Sequence, residues 1–233
     1  MVICAIYPPL LSILYEIKPD LIFHLAAQSF VPYSYSVPIE TLNTNVVGTA
    51  NLLEAVRIIK AEQAWDCRIM ICSSPEVYGQ ADNSTPITED FPLKPLSPYA
   101  VSKVAEDMLA YMYYQAYGLK TIRSRAFAHE GPRRGDVFAV SSFARQIAMI
   151  ERGMQKPVIK VGNLDSSRTY CDVRDVVRAY WLLLEEGQAG GVYNIAGDEA
   201  MMLREVLDRL LKLSSIRLPE NVSIGVERKL LRP

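Results

Sequence analysis

Two short segments carry side chains that could move protons. The first, Ser73-Ser74-Pro75-Glu76-Val77-Tyr78-Gly79, follows an apolar run, Arg68-Ile69-Met70-Ile71-Cys72, that reads as a buried strand stopped by a turn. The second, Ser97-Pro98-Tyr99-Ala100-Val101-Ser102-Lys103, opens a long amphipathic run, with Ser97 placed to cap a helix and Pro98 at its first position. Tyr99 and Lys103 then share one helix face, one turn apart. A lysine ammonium beside a phenol favours the phenolate, so this spacing predicts a lowered tyrosine pKa. A hydroxyl (Ser73 or Ser74) and the Glu76 carboxylate at the strand end would face that pair across a cleft. Hydroxyl, carboxylate, phenol and ammonium converging at the carboxyl edge of a sheet are the groups of acid–base chemistry.

The surrounding pattern supplies the elements to hold them. Helical spacing near 10–17 stops at Lys18-Pro19-Asp20, and 21–27 reads as a buried strand. A long helix is expected near 39–60, a strand at 68–73, a Pro-rich loop at 79–97, a helix at 98–117 ended by Gly118, and a strand at 121–127. After a basic loop at 129–136, a helix (138–153), strand (157–161), helix (173–186), strand (192–195) and helix (202–213) follow, then a mixed tail from 214. Strands alternating with helices predict an α/β fold with a largely parallel sheet.

The bulk properties exclude several classes. Half of the 233 residues are hydrophobic, enough for one real core. The net charge of −1 gives no electrostatic argument for nucleic acid or a membrane surface. Cys4, Cys67, Cys72 and Cys171 lack paired metal-ligand spacing and read as reduced packing residues; no metal site is expected. No apolar run is long enough to span a bilayer, and Met1–Ile6 does not read as a signal peptide, so a cytoplasmic protein is expected.

The order of motifs is similar to that of the extended short-chain dehydrogenase/reductase family (NAD-dependent epimerases and dehydratases), and within it most resembles the GDP-mannose 4,6-dehydratases. The resemblance rests on His24-Leu25-Ala26-Ala27-Gln28-Ser29, Asn45-Val46-Val47-Gly48-Thr49, Ser73 to Gly79, Tyr99 with Lys103, Gly131-Pro132-Arg133-Arg134-Gly135, Gly162-Asn163-Leu164-Asp165 and Asp172-Val173-Arg174-Asp175. It implies a Rossmann-like, doubly wound parallel sheet with a small C-terminal substrate lobe, NADP or NAD as cofactor, and a GDP-mannose or other nucleotide-sugar substrate. Residues 1–153 would form the NAD(P)-binding domain with the catalytic residues, and 154–233 part of a substrate lobe interleaved with the last strand and helix of the sheet.

The resemblance also implies roles. Tyr99 would take the sugar C4 hydroxyl proton as hydride leaves C4, with Lys103 lowering its pKa and holding the nicotinamide ribose. Ser74 would bond the C4 oxygen. Glu76 would remove the C5 proton once C4 is a ketone, water would leave C6, and hydride would return there. Leu25, Ala26, Ala27 and Ser29 would lie against the cofactor, and His129, Arg133, Arg134, Asn163, Arg168 and Arg232 against the substrate, arginine suiting phosphate by its forked donors. A 4-keto-6-deoxy-sugar reductase, a 4-epimerase, or an inactive fragment that binds nucleotide-sugar or a homologous subunit are the competing readings. A homodimer or tetramer through the helices at 39–60 and 98–117 is expected.

The sequence also departs from the family. A Gly-x-x-Gly-x-x-Gly turn, whose following helix binds the cofactor pyrophosphate, is not found in the 233 residues. The sheet is therefore expected to lack its first strands, on the order of sixty residues, and to expose an apolar edge. Ala128 stands where family members carry a diphosphate-binding asparagine, and Thr169 where an acid is usual.

Overall fold

A computed structural model describes residues 8–81, 85–215, 222–227 and 230. Contacts divide the chain into two units: 1–126 with 176–195, and 127–175 with 196–233. The first crossing thus falls after Ala126 rather than at the boundary of 153 drawn from sequence, and the helix expected at 138–153 belongs to the second unit.

The first unit is built on a parallel sheet. β1 (Leu21–His24), β2 (Arg68–Cys72), β3 (Lys120–Ala126) and β8 (Val192–Ile195) lie in the order β1-β2-β3-β8. The register sets Leu21 against Arg68, Arg68 against Lys120 and Arg123 against Val192. Ile69, Met70 and Ile71 of β2 are fully buried, as a strand covered on both faces requires. On one face Ile69 and Ile71 pack with α1 (Pro8–Ile17), α4 (Gly48–Gln63) and α5 (Pro98–Tyr117) through Leu14, Leu53, Ile59 and Ala110. On the other, Phe23 stacks on Trp181 of α7 (Val173–Glu186), ring centroids 6.1 Å apart. Helices on both faces of a parallel sheet make this the expected Rossmann-like fold. Among the described residues β1 pairs only with β2, so its outer edge is unpaired.

The helix that carries Tyr99 keeps its expected limits because its ends are chemically marked. Ser97 Oγ accepts from Ala100 N at 3.0 Å, Pro98 occupies the first turn, and Gly118 takes the left-handed conformation (φ 64°) that stops the helix. The long helix expected near 39–60 is one unbroken helical run, α3 (Pro38–Leu42), a π-helical turn at Asn43–Val47 and α4; a short helix, α2 (Val31–Ser36), precedes it and is set apart at Val37. The strand expected at 21–27 ends at His24, leaving 25–30 as a loop.

The second unit holds β4 (His129–Glu130), α6 (Ala139–Glu151), β5 (Val158–Val161), β6 (Ser167–Thr169), β7 (Cys171–Asp172), β9 (Ala200–Met202), α8 (Leu203–Leu213) and β10 (Ser223–Val226). The strands form pairs: β5 with β10 and β4 with β7 parallel, β6 with β9 antiparallel. Phe143, Ile147, Ile159, Val161, Leu207 and Leu211 form its core. Among the described residues no helix is long and apolar enough to cross a membrane.

Candidate active site

The turn after β2 is a short 3₁₀ segment, Pro75–Tyr78, capped by Ser74, whose Oγ accepts from Glu76 N at 3.3 Å. Gly79 closes it at φ 71°, where a Cβ would stand 2.0 Å from the carbonyl oxygen of Lys94, so only glycine fits. Tyr78 anchors the turn from beneath. Its hydroxyl donates to Asn194 Oδ1 (2.7 Å) and accepts from Arg125 (2.9 Å), which in turn holds Asp107 at 2.8 Å. Arg123 bonds the same carboxylate at 2.8 Å, so two arginines from β3 share one buried aspartate.

Ser74, Tyr99 and Lys103 meet above this base, all buried (7%, 8% and 4% exposed). Ser74 hydrogen-bonds the Tyr99 hydroxyl, and the Glu76 carboxylate is near enough to act on the same phenol. Ser73 turns elsewhere, its Oγ donating to the backbone oxygen of Lys103 at 3.2 Å. The structure thus brings Ser74, Glu76, Tyr99 and Lys103 together at the carboxyl end of β2, with Ser74 rather than Ser73 on the tyrosine.

The lysine does not act as its spacing suggested. Its Nζ lies 5.9 Å from the Tyr99 ring centroid and donates instead to the Cys72 carbonyl and to Glu106 Oε2, each at 2.9 Å. Burial pushes the Tyr99 phenol above its usual range; Lys103 and the Ser74 hydrogen bond pull the other way, but less, and Glu106 and Glu76 add to the rise. The expected lowering of the tyrosine pKa is therefore overturned: desolvation outweighs a cation that is already paired. Glu106, 1% exposed, is itself raised to about 7, by burial first and by neighbouring Asp107, against the pull of Lys103.

Beside this group, the loop after β1 borders a cavity of about 490 Å³ lined by His24, Ala26, Ala27, Gln28, Thr44 and Gly48 among others. The two alanines leave the backbone open to close approach. Asn45, fully buried on the π-helical turn, fixes the loop: its Oδ1 accepts from Gln28 N (2.7 Å), and its Nδ2 donates to Gln28 O (3.0 Å) and Ser102 Oγ (2.8 Å). His24 bonds Thr49 Oγ1 at 2.9 Å, and burial, with Lys103 nearby, lowers its pKa to about 4. Leu25 (61% exposed) and Ser29 are both exposed, and neither lines the cavity.

In the second unit the expected substrate residues bond locally. Arg134 donates to His129 O at 2.8 Å, pairs with Glu130 at 3.2 Å and lies over the Phe138 ring, 4.0 Å from its centroid. His129 Nδ1 meets Phe127 O at 2.8 Å. Arg133 is exposed and held at φ 71° by the turn after Gly131, whose Cβ would strike Val173 at 2.3 Å. Asn163 is exposed, its Oδ1 accepting from Asp165 N, and exposed Arg168 donates to its neighbour's carbonyl. Arg232 lies outside the described residues.

The family model described as GDP-mannose 4,6 dehydratase matches residues 9–225. The chain belongs to the GDP-mannose 4,6 dehydratase family. It is 37% identical over 212 residues to the GDP-6-deoxy-D-mannose reductase of Pseudomonas aeruginosa, covering 91% of this chain and 68% of that protein. With a GDP-mannose 4,6-dehydratase of Vibrio cholerae it shares 36% over 179 residues, 77% of this chain and 47% of that one. The structure of RMD from Pseudomonas aeruginosa complexed with NADPH aligns at a TM-score of 0.87 with 36% identity, over 97% of this chain and 73% of the other. DesIV, a dTDP-glucose 4,6-dehydratase from Streptomyces venezuelae with NAD and TYD bound, aligns at 0.81 with 30% identity, over 96% and 66%. The chain spans about half the length of the Vibrio cholerae and Yersinia enterocolitica dehydratases, 47% and 55%.

Several working parts of this dehydratase-family site escaped the sequence reading. Asn45 was visible only as part of a motif, and nothing pointed to its clamp on Gln28. Glu106 and Asp107 were not singled out at all, and both are buried. The signal available was their position, three and four residues after Lys103 and so on its side of the helix.

Proposed function

We propose that the chain is the catalytic part of a nucleotide-sugar 4,6-dehydratase acting on GDP-mannose, with NADP or NAD as its cofactor. The observation that carries this reading is the meeting of Ser74, Glu76, Tyr99 and Lys103 around one buried phenol. The residues fit a dinucleotide: Ala26 and Ala27 open onto the cavity, and Lys103 has a third ammonium hydrogen beyond the two it uses within the chain. A bound nicotinamide ring supplies reversible two-electron redox at the sugar carbon and is regenerated by the end of the cycle.

The chain's own residues manage the protons. Ser74 bonds the C4 oxygen and orients it toward Tyr99, which exchanges the hydroxyl proton. Oxidation at C4 acidifies the C5 proton; Glu76, on the same turn as Ser74, is the base that takes it and passes it to the C6 hydroxyl, so that water departs and a C5–C6 double bond is left for reduction. Arg133, Arg134, Asn163, Arg168 and Arg232 are the proposed contacts for the nucleotide diphosphate, in keeping with their forked or amide donors. His129 is proposed beside them. A homodimer is proposed through Val101, Met108 and Met112, exposed along α5, with Ile39 on α3; a monomer by light scattering at high concentration would rule it out.

Incubation with GDP-mannose and NADP or NAD tests the reading: a dehydrated 4-keto-6-deoxy product is expected, and its absence counts against it. A second reading, reduction of a 4-keto-6-deoxy sugar, draws support from Tyr99. A phenol held protonated by burial is ready to give its proton to a ketone oxygen. Glu76→Gln separates the two, since dehydration collapses without the C5 base while reduction changes little.

A further inference from the structure

Tyr99, Lys103 and Glu106 form a ladder along one face of α5, and the bottom rung has no role in the reaction proposed above. Glu106 Oε2 accepts from Lys103 Nζ at 2.9 Å, yet Oε1 is buried with no hydrogen-bond partner. A lysine needing only a counter-charge has cheaper sources on a surface; a carboxylate at 1% exposure with an orphaned oxygen is costly unless it does something there. Lys103 is meanwhile held on the Cys72 carbonyl, 5.9 Å from the Tyr99 ring centroid.

We propose that Glu106 is a positioning residue for the proton-transfer pair: it holds the Lys103 ammonium against the end of β2 and offsets part of the pull of that charge on the Tyr99 phenol. Neutralising Glu106, by a proton or by substitution, leaves the ammonium's charge free to favour the phenolate. Tyr99 then becomes the stronger acid, because the ammonium beside it is no longer balanced by an anion. Titration of Glu106 up to about 7 is consistent with this, since the change falls in the neutral range.

The groups that face the pair are few. On α5 they are Tyr99, Lys103 and Asp107; on β2, Cys72; on α7, Tyr180, which bonds Cys72 and lies near Tyr99; on the 3₁₀ turn, Glu76; on β1, His24, which responds to Lys103. Arg123 and Arg125 of β3 are both committed to Asp107. On α3 and α4, Glu40 is bonded by Tyr33, and Glu54 by Arg57 and Tyr113. Glu106 is the anion in direct contact with the lysine.

The inference rests on Tyr99 being the group that exchanges the proton, but its test needs no turnover. The full chain is labelled with ¹³C at the tyrosine ring carbon bearing oxygen, and the Tyr99 signal is assigned by its loss in Tyr99→Phe. In Glu106→Gln, Tyr99 is expected to ionise about one pH unit or more earlier than in the unaltered chain, roughly a tenfold stronger acid. Glu106→Asp, which keeps the charge, should restore the original titration. An unchanged Tyr99 midpoint in Glu106→Gln overturns the proposal, because a merely structural counter-ion would lower stability without moving the phenol. If Glu106→Gln does not fold, the unaltered chain decides: the Glu106 carboxyl carbon and the Tyr99 ring carbon should shift together near neutrality. A Glu106 midpoint near the ordinary 4.5, or no matching shift at Tyr99, overturns it. A chain that fails to turn over GDP-mannose yet shows the shift loses the sugar reading and keeps this one.

Discussion

The proposed proton-transfer groups and the proposed diphosphate contacts are built on opposite plans. Tyr99, Lys103 and Ser74 are buried and committed to one another and to the chain, whereas Arg133, Asn163 and Arg168 are exposed, Asn163 and Arg168 bonding residues close to them in sequence. The difference follows from what each must do. A group that gives or takes a proton needs a displaced pKa, and only burial among fixed charges displaces one far. A group that grips a diphosphate needs a constant charge and free donors, which an arginine in water already has. Burial therefore marks where chemistry is prepared, and exposure marks where a ligand is met.

Tyr99→Phe should break the contrast most severely. Loss of the proton-exchanging hydroxyl is expected to cut single-turnover rates by about 10²–10⁴-fold while nucleotide-sugar affinity, measured by calorimetry, stays close to that of the unaltered chain. A comparable collapse in affinity would show that the buried group also carries binding. Next comes Asp107→Asn. Arg123 and Arg125 would be left buried beside an uncharged amide, at a cost of about 3–5 kcal/mol in urea unfolding; a change near zero would mean that the pair is not desolvated.

Acid stability sharpens the comparison within the buried site. Glu106 titrates at about 7, above the ordinary 4.5, so its contribution to stability is full below about 4.5 and lost as pH rises through about 7. His24 runs the other way: lowered from 6.5 to about 4, its contribution is present above 6.5 and lost as pH falls through about 4. The two oppose each other in unaltered protein. In His24→Gln, denaturant unfolding should therefore show stability rising by about 1–3 kcal/mol from near pH 7 to near pH 5, where the unaltered chain changes less. The smallest effect is expected at the surface. Arg168→Ala should leave stability within about 0.5 kcal/mol but weaken nucleotide-sugar binding by roughly tenfold.

Legibility followed the same division between local and distant causes. α5 could be drawn to the residue because Ser97, Pro98 and Gly118 mark its ends by backbone chemistry alone, and Tyr99 with Lys103 needed only helical spacing. The β2 strand and its turn were equally local. The net effect of Lys103 on Tyr99 was misjudged because its sign depends on Glu106 and on burial, and neither is a property of spacing. The Asp107 cluster was invisible for a related reason: its arginines lie sixteen and eighteen residues on, in a strand whose burial pattern predicts apolar side chains. β4, β6, β7 and β9 were missed because strands of two or three residues carry too little periodicity to register, and β10 because a mostly exposed strand shows no buried apolar run. The π-helical turn inside the helix read near 39–60 could not be seen either, although Asn45, which bonds Gln28, sits on that turn.

The floor beneath Tyr99 has one more consequence. Lys103, Arg123 and Arg125 face Glu106 and Asp107 there, three cations against two carboxylates, which leaves one net positive charge enclosed under the helix. Charge sealed away from water is screened little by salt, so its field reaches the mouth of the site at ionic strengths that would silence a surface patch. An anionic ligand arriving there is drawn by a source it never touches, and each proton that settles on Glu106 strengthens the pull.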